Sequence, residues 1–164
     1  MSDIAIRAVR SDDALALYEI RQQQQVIAGT LHLPTERLSA TQQYLATLGP
    51  DTHVLVAEVD GKMVGALHMQ AFSGKRRHVA SIGLMVHDGY SGRGVGKSLM
   101  RRMLDIADNH LDIKRLELEL MESNGRALRL YESFGFALEG RKRKAVYLHG
   151  RYEDVLLMAR FKPE

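Results

Sequence analysis

The spacing of apolar and polar residues divides the chain into segments of regular structure. Apolar positions that recur every three or four residues predict helices at residues 11–25, 36–48, 94–110 and 127–134. Alternating positions, or short apolar runs between turn residues, predict strands at residues 4–10, 54–59, 63–69, 79–86, 116–121, 137–144 and 152–161. We therefore expect an α+β fold with the element order β-α-α-β-β-β-α-β-α-β-β.

The connections between these segments predict how the strands pair. Asp60-Gly61 joins the second and third strands, and such a dipeptide favours a two-residue antiparallel hairpin. The helix at 94–110 links two strands in a β-α-β crossover, which makes those two strands parallel. The prediction is a mostly antiparallel mixed sheet with one central parallel pair, covered by helices. No repeat or linker interrupts the pattern, so residues 1–164 are expected to form a single domain.

The composition excludes several classes of protein. Apolar residues make up 45% of the chain and charged residues 26%, which is the balance of a globular protein. No apolar run approaches the roughly 20 residues that a membrane span needs, and the first residues do not resemble a signal peptide. Cysteine is absent, so disulfides and thiolate metal sites are excluded and a cytoplasmic location is expected. The seven histidines lack ligand spacing, and we predict no metal.

The charge of the chain favours no polyanionic partner. Its formal net charge is +3, and the one dense basic run covers residues 141–144. That run is typical of a solvated strand face, and contact with a ligand phosphate is the alternative. Aromatic residues do not interleave with the basic ones, so we expect no nucleic acid partner.

The segment from Ser91 to Lys97 is a glycine-rich turn that opens a predicted helix. Backbone N–H groups at such a turn are unpaired and point at an anion, and glycines at 92, 94 and 96 let a phosphate approach. A dinucleotide fingerprint needs a glycine where Lys97 stands, and a Walker A loop needs one where Ser91 stands. The antiparallel hairpin before the turn also disfavours both. A turn without a ligand is the remaining alternative.

A second pattern begins at Asn124 and ends at Gly135-Phe136. Asn124 and Tyr131 are seven residues apart, close to two helical turns, so their side chains share one helix face. A phenol held near a leaving thiolate can donate a proton to it. The alternatives are a helix cap for Asn124 and a core aromatic residue for Tyr131.

The two patterns together resemble the GNAT superfamily of N-acetyltransferases, over nearly the whole chain. Arg93-Gly94-Val95-Gly96 is similar to its acetyl-CoA loop, written Q/R-x-x-G-x-G/A, although Ser91 stands at the Q/R position. Residues 124–136 fill every marked position of its second motif, N-x-x-A-x-x-x-Y-x-x-x-G-F. The resemblance is to the bacterial branch that includes L-amino-acid and polyamine N-acetyltransferases. It implies the GNAT fold, with the central parallel strands splayed at the cofactor cleft, and acetyl-CoA as co-substrate.

The resemblance also implies roles for individual residues. Asn124 would bind the pantetheine arm and Tyr131 would be the general acid at the sulfur. The backbone of residues 84–86 would bind the pantetheine amides and the acetyl oxygen. The full set of predicted cofactor-binding residues is Leu84, Met85, Val86, Ser91, Gly92, Arg93, Gly94, Val95, Gly96, Lys97, Asn124, Ala127 and Tyr131.

The general base and the acceptor are less defined by the sequence. Many relatives carry a glutamate on the central strand, and residues 79–86 contain none. The candidate bases are Glu119, His78, Ser81 and Glu122. The predicted acceptor-binding residues are Thr30, Leu31, Leu33 and His78.

A small amine, a free L-amino acid in particular, is the predicted acceptor, and the resemblance adds a homodimer. The alternatives are a protein N-terminus or a polyamine as acceptor, or a CoA-binding sensor without catalysis.

Overall fold

The computed structural model describes residues 3–164. One sheet of seven strands runs through the molecule in the order β1-β2-β3-β4-β5-β7-β6. Every neighbouring pair is antiparallel except β4 and β5, which confirms the predicted mixed sheet with one parallel pair. The strands are β1 Ala5–Ala8, β2 Thr52–Val59, β3 Lys62–Ala71, β4 Val79–Val86, β5 Arg115–Met121, β6 Ala137–Leu148 and β7 Arg151–Phe161.

Five α-helices accompany the sheet in the described part of the chain. They are α1 Ala14–Arg21, α2 Gln24–Gly29, α3 Leu38–Ala46, α4 Val95–Asn109 and α5 Gly125–Ser133. Single 3₁₀ turns cover Ser11–Asp13, Gly74–Arg76 and Asp88–Tyr90.

Within residues 3–164, the structure contains no helix that combines the length and the apolar character of a membrane-crossing segment.

The first predicted helix is in fact two helices, so three rather than two α-helices precede β2. Gln22 closes α1, because its N–H donates to Tyr18 O and Glu19 O. Gln23 then takes an extended conformation, with φ −64° and ψ 141°, which redirects the chain before α2. The four consecutive glutamines at 22–25 carry no apolar periodicity that could reveal this break. Gly29 is the last residue of α2, so the helical region extends beyond its predicted end at residue 25.

Two of the hairpin loops are two-residue turns that need left-handed backbone conformations. Asp60 and Gly61 have φ angles of 51° and 76°, and Val59 pairs directly with Lys62. His149 and Gly150, with φ angles of 49° and 80°, join β6 to β7 in the same way. Two successive positive φ angles match the twist of antiparallel strands. The two-residue hairpin predicted at Asp60-Gly61 is therefore confirmed.

The two faces of the sheet bury separate cores. Ile82, Leu84 and Val86 of β4 face the larger core, which contains buried residues of α4 and Tyr131 of α5. Met85 faces the smaller core beneath α1 and α3. Because side chains alternate along a strand, Gly83 lies on the same face as Met85. β4 thus separates an α4–α5 side from an α1–α3 side.

The parallel strands β4 and β5 are paired over only three residues. Val79, Ala80 and Ser81 pair with residues 115–117, and the register ends there. β5 stays paired with β7 as far as Met121, while β4 stays paired with β3 as far as Val86. The two strands therefore diverge, and a gap opens through the sheet beyond Ser81, as the resemblance implies.

We expect Gly65→Ala to lower the free energy of unfolding by about 1–3 kcal/mol, because it overpacks the α4–β3 contact. A Cβ at Gly65 would lie 2.8 Å from Val95 Cγ1 and 3.2 Å from the Met85 carbonyl oxygen. Gly140→Ala is the matched control, since its Cβ would meet Leu157 Cδ1 at an ordinary 3.5 Å. Urea denaturation of both variants measures the difference. Equal stabilities would contradict this description of the packing.

Candidate active site

A cavity of about 1070 Å³ occupies the gap between β4 and β5. One wall is the segment 82–86 of β4, and the opposite wall is Glu119–Met121 of β5 with Val155 of β7. Towards the α4–α5 side the cavity reaches Ser91, Asn124 and residues of α5. Towards the α1–α3 side it reaches α1, α2, α3 and the polar residues His68 and Gln70 of β3. The cavity therefore passes through the sheet and connects its two faces.

The glycine turn presents free backbone donors beside this cavity. Ser98 is the first residue of α4 whose N–H has a protein acceptor, the Gly94 carbonyl at 3.0 Å. Within residues 3–164, the N–H groups of Gly92 to Lys97 have no acceptor. Gly92 and Gly94, at φ 76° and 84°, hold the turn in left-handed conformations. Six unpaired donors at a helix N-terminus form an anion site suited to a pyrophosphate.

Gly96 also has a packing role, in addition to the backbone role that the sequence predicts. A Cβ on it would lie 3.1 Å from Leu130 Cδ2 and 3.4 Å from Leu84 Cδ2. The missing side chain therefore lets α4 pack closely against α5 and β4. The Val95 side chain is likewise buried in the core, so these two residues face an anion through their N–H groups alone. Lys97 is exposed.

The backbone of β4 points into the gap at alternate residues. The bonds His87 N–H to Val64 O and Phe72 N–H to Val79 O fix the phase of the β3–β4 ladder. In an antiparallel ladder of this phase, Met85 bonds to β3, while Leu84 and Val86 direct their N–H and C=O groups to the other side. The backbone of Met85, predicted to bind the cofactor, is thus occupied by the sheet.

Asn124 caps α5 and also borders the cavity. Its Oδ1 accepts from the Ala127 N–H at 3.2 Å, so the helix-cap interpretation holds in the structure. Its Nδ2 would be 3.0 Å from a Cβ on Gly29, so the amide approaches α2 across the cavity. The side-chain oxygen is used in the helix cap, so the NH₂ group can donate a hydrogen bond into the cavity.

Tyr131 is a protonated phenol at neutral pH. The residue is only 6% exposed, and its ring packs against Phe136 at a centroid distance of 5.7 Å. Burial raises the pKa of Tyr131 to about 12. Because Tyr131 lines the cavity, its hydroxyl can donate a hydrogen bond or a proton to a group bound there.

The charged residues of β5 and β6 neutralise one another. Lys142 Nζ lies 2.7 Å from Glu119 Oε1, at the rim of the cavity. Arg141 pairs with Glu122 at 2.8 Å. The basic run at 141–144 therefore lies on an exposed strand with acidic neighbours, as its solvated interpretation predicts. Glu119, the predicted candidate base, is bound to a lysine in this state.

The predicted acceptor-binding residues divide into two groups. Thr30 and Leu31 line the cavity, where the Thr30 hydroxyl donates to Val26 O at 2.7 Å. Leu33 is 63% exposed and lies outside the lining.

The structure does not place His78, a predicted acceptor-binding residue and candidate base, in the cavity lining. His78 precedes the end of β4 that still pairs with β5, where its carbonyl accepts from the N–H groups of Lys114 and Arg115. The gap opens at the other end of the strand, so the exposed His78 side chain is remote from the cavity.

Several polar residues of the cavity are not among the predicted site residues, and Arg21, Tyr44 and His68 form one group of them. The Arg21 guanidinium lies over the Tyr44 ring at 4.8 Å, and its Nη1 donates to Thr41 Oγ1 at 3.3 Å. Its Nε is buried without an acceptor in the described chain. Burial lowers the pKa of Arg21 and raises that of Tyr44. These residues come together only when α1 packs on α3, so no local pattern could reveal them.

Comparison with known proteins agrees with this geometry. The model of the Acetyltransferase (GNAT) family matches residues 14–136, which include β4, the glycine turn and α5. This chain belongs to the GNAT family. It is therefore an acetyl-CoA-dependent N-acetyltransferase.

Individual relatives span the chain from end to end. The L-amino acid N-acetyltransferase AaaT of Escherichia coli is 37% identical over 99% of this chain and 100% of its own length. The spermidine N(1)-acetyltransferase of Vibrio cholerae is 21% identical over 96% of this chain and 92% of its own. In fold, the chain is similar to yncA of Salmonella typhimurium, solved with its cofactor acetyl-CoA. That structure has a TM-score of 0.85 and 22% identity, covering 99% of this chain and 96% of the other.

The residues of this GNAT protein fit acetyl-CoA. The unpaired N–H groups at 92–97 suit its pyrophosphate, and the free edge of β4 at Leu84 and Val86 suits the pantetheine amides. The Asn124 NH₂ group and the neutral Tyr131 phenol lie further along the same cavity. Arg126 adds a cation to the lining, and Arg93 lies over Tyr90 at 5.0 Å beside the turn.

Proposed function

We propose that this enzyme transfers the acetyl group of acetyl-CoA to the α-amino group of a free L-amino acid. The amine attacks directly while both substrates occupy the one cavity. The observation that carries the proposal is Arg21, a half-buried cation at the acceptor end of that cavity. The similarity to the L-amino acid N-acetyltransferase AaaT supports the same acceptor class.

Arg21 lacks the anionic partner that a buried guanidinium normally has. Within residues 3–164 no carboxylate lies within ion-pair distance of it, and Thr41 and Tyr44 are its neutral neighbours. The charge of the nearby Glu36 raises the pKa of Arg21 against the larger lowering effect of burial, but the Glu36 carboxylate is bonded to His32 Nδ1 at 3.0 Å. A desolvated cation is costly unless it is paired, so a carboxylate that binds here gains a strong, charge-assisted contact. An α-carboxylate meets that requirement and a polyamine does not.

The charge of the cavity also disfavours a polycation. Arg21, Arg126 and Lys142 line it, whereas Glu119 is the one carboxylate among the lining residues that the structure describes. Glu119 is itself paired with Lys142. Relatives that acetylate spermidine must bind an acceptor with several positive charges. The lining of the cavity in this chain carries an excess of positive side chains.

Apolar residues at the acceptor end favour an aliphatic or aromatic side chain on the amino acid. Val26 and Leu48 line the cavity, and Leu31 borders it with 74% of its surface exposed. Covering Leu31 with a substrate side chain would remove apolar surface from water. L-Leucine is therefore the acceptor that we choose as a probe.

Different residues along the cavity bind, orient and activate the two substrates. Acetyl-CoA supplies the acetyl carbonyl carbon that the amine attacks and the thiol that leaves. The N–H groups at 92–97 hold the pyrophosphate, and the backbone N–H groups of Leu84 and Val86 are directed at the gap, where they can stabilise an oxyanion. Tyr131 donates to the departing sulfur, and Arg21 orients the amino acid by its carboxylate. The single cavity through the sheet lets both substrates meet without a covalent enzyme intermediate.

An assay of thiol release tests the acceptor class. The chain has no cysteine, so a thiol reagent reports released CoA without a background from the protein. We expect kcat/KM for L-leucine to exceed that for leucinamide and spermidine by about 10²-fold, since only leucine offers Arg21 a carboxylate. Spermidine or an N-terminal peptide as the fastest acceptor would contradict the proposal. Binding of acetyl-CoA without thiol release for any amine would indicate a sensor instead of an enzyme for amines.

A further inference from the structure

The His68 side chain lies over Gly83 of the central strand β4, which has no side chain of its own at that point. His68 of β3 and Gly83 of β4 are direct partners in the antiparallel ladder. A Cβ on Gly83 would overlap the His68 ring at Cε1 and would lie 3.0 Å from each ring nitrogen. The imidazole therefore takes the space that a side chain from β4 would fill. The next residue, Leu84, directs its backbone into the gap.

The His68 side chain is exposed and lines the cavity. Both His68 and Gly83 line the cavity on the α1–α3 side, and no protein hydrogen-bond partner holds either ring nitrogen in the described chain. Arg21 of α1, Tyr44 of α3 and His32 after α2 are the titratable groups that face it. Desolvation, with Arg21 and His32, holds the pKa of His68 below its usual 6.5. The imidazole is thus neutral near pH 7 and able to accept a proton.

We propose that His68 is the general base of the reaction, taking the proton from the ammonium group of the acceptor. The inference rests on the proposed function only in requiring an amine acceptor. Arg21 would hold the carboxylate of an amino acid on the same face of the sheet, which places the adjacent amino group between Arg21 and the gap.

The other titratable groups of the cavity are less suited to this role. His32 Nδ1 is bonded to Glu36, and Glu119 is bonded to Lys142. Tyr131 is protonated and lies on the α4–α5 side. His68 combines a free ring nitrogen with a position next to the backbone of Leu84.

Each proton that moves in the reaction has a donor and an acceptor in this arrangement. The ammonium nitrogen loses one proton to His68, which passes it to solvent through the open mouth of the cavity. The neutral amine then forms the N–C bond as the C–S bond breaks. The sulfur takes a proton from the Tyr131 phenol. One of the two protons left on the attacking nitrogen moves by way of solvent to restore the phenol, and the other stays as the amide N–H of the product.

The variant His68→Gln tests the proposal, with His110→Gln as a control. His110 caps α4 and is exposed away from the cavity. We expect His68→Gln to lower kcat at pH 7 by about 10²-fold for L-leucine, and for n-butylamine at high concentration, with an unchanged Kd for acetyl-CoA. His110→Gln should match the wild type. Thermal unfolding of both variants shows whether the fold is retained.

The pH profile separates a base from a structural residue. A base must be deprotonated, so wild-type kcat should fall as pH decreases through the lowered pKa of His68 and be level above it. In His68→Gln the level region should be lost, and the residual rate should rise with pH above neutrality because solvent must then deprotonate the amine. The proposal would be overturned if kcat of Glu119→Gln no longer fell at low pH while His68→Gln kept the wild-type pH profile of kcat.

Rescue by added imidazole gives a readout that a packing role would not produce. His68→Ala leaves a space open to the cavity beside Gly83, large enough for the missing ring. Imidazole should restore kcat in this variant in proportion to its concentration and have no effect on the wild type. Failure of rescue together with a folded, acetyl-CoA-binding variant would count against a base. Because n-butylamine carries no carboxylate, these results stand apart from the success or failure of L-leucine as a substrate.

Discussion

Replacing Tyr131 by phenylalanine is expected to lower kcat by about 10²- to 10³-fold, because the phenol protonates the departing thiolate. The hydroxyl is the one group removed, and the ring that packs on Phe136 remains. Stability and the Kd for acetyl-CoA should therefore change little. Since the pKa of Tyr131 is about 12, no loss of rate from its ionisation is expected across neutral and mildly alkaline pH. Steady-state thiol release and calorimetric binding measure the two quantities.

Tyr147→Phe is the matched control for this change. Tyr147 lies on β6 with 65% of its surface exposed, and its ring contacts Tyr152. The control should keep the wild-type kcat. A kcat of Tyr131→Phe within twofold of wild type would show that the thiolate leaves without help from the phenol.

The second large effect is expected for Arg21→Gln, which should raise KM for L-leucine about 10- to 100-fold. A hydrogen bond to a charged group contributes about 1.5–3 kcal/mol, and each 1.4 kcal/mol corresponds to a factor of ten. The KM for leucinamide should change little, because it offers no carboxylate. Removing a buried cation without an ionic partner should also leave the protein as stable as before, or more so.

Arg37→Gln removes the same charge from an exposed position at the start of α3 and serves as the control. It should leave both KM values unchanged. Equal loss of activity towards leucine and leucinamide in Arg21→Gln would contradict a role in binding the carboxylate.

The sequence alone predicts most of the fold because most of its signals are local. The Asp60-Gly61 turn, the apolar strand 79–86 and the stop at Gly135 each depend on neighbouring residues only. The break between α1 and α2 lies in a polar run. Such a run has no apolar periodicity, so its sequence pattern is the same whether the helix continues or ends. The glycine at position 96 has two explanations that the sequence cannot separate. Close approach of a phosphate and close packing of a neighbouring helix both exclude a side chain there.

The acceptor half of the site depends on contacts that are distant in sequence. His68 meets Gly83 through the register of β3 on β4, and Arg21 meets Tyr44 through the packing of α1 on α3. His78 directly precedes the central strand in sequence. The gap, however, opens at the other end of that strand, where β4 leaves β5. Which end of a strand borders a cavity is a property of the sheet and not of the strand.

A competition assay shows directly whether Arg21 selects a free amino acid as the acceptor. Wild-type enzyme and Arg21→Gln are each given acetyl-CoA with L-leucine, leucinamide, spermidine and a short peptide at equal concentrations, and the acetylated products are quantified by mass spectrometry. We expect N-acetyl-leucine as the main product of the wild type, and a fall in the ratio of N-acetyl-leucine to N-acetyl-leucinamide in Arg21→Gln. Acetylspermidine or acetylated peptide as the main wild-type product, or an unchanged ratio in the variant, would contradict this expectation.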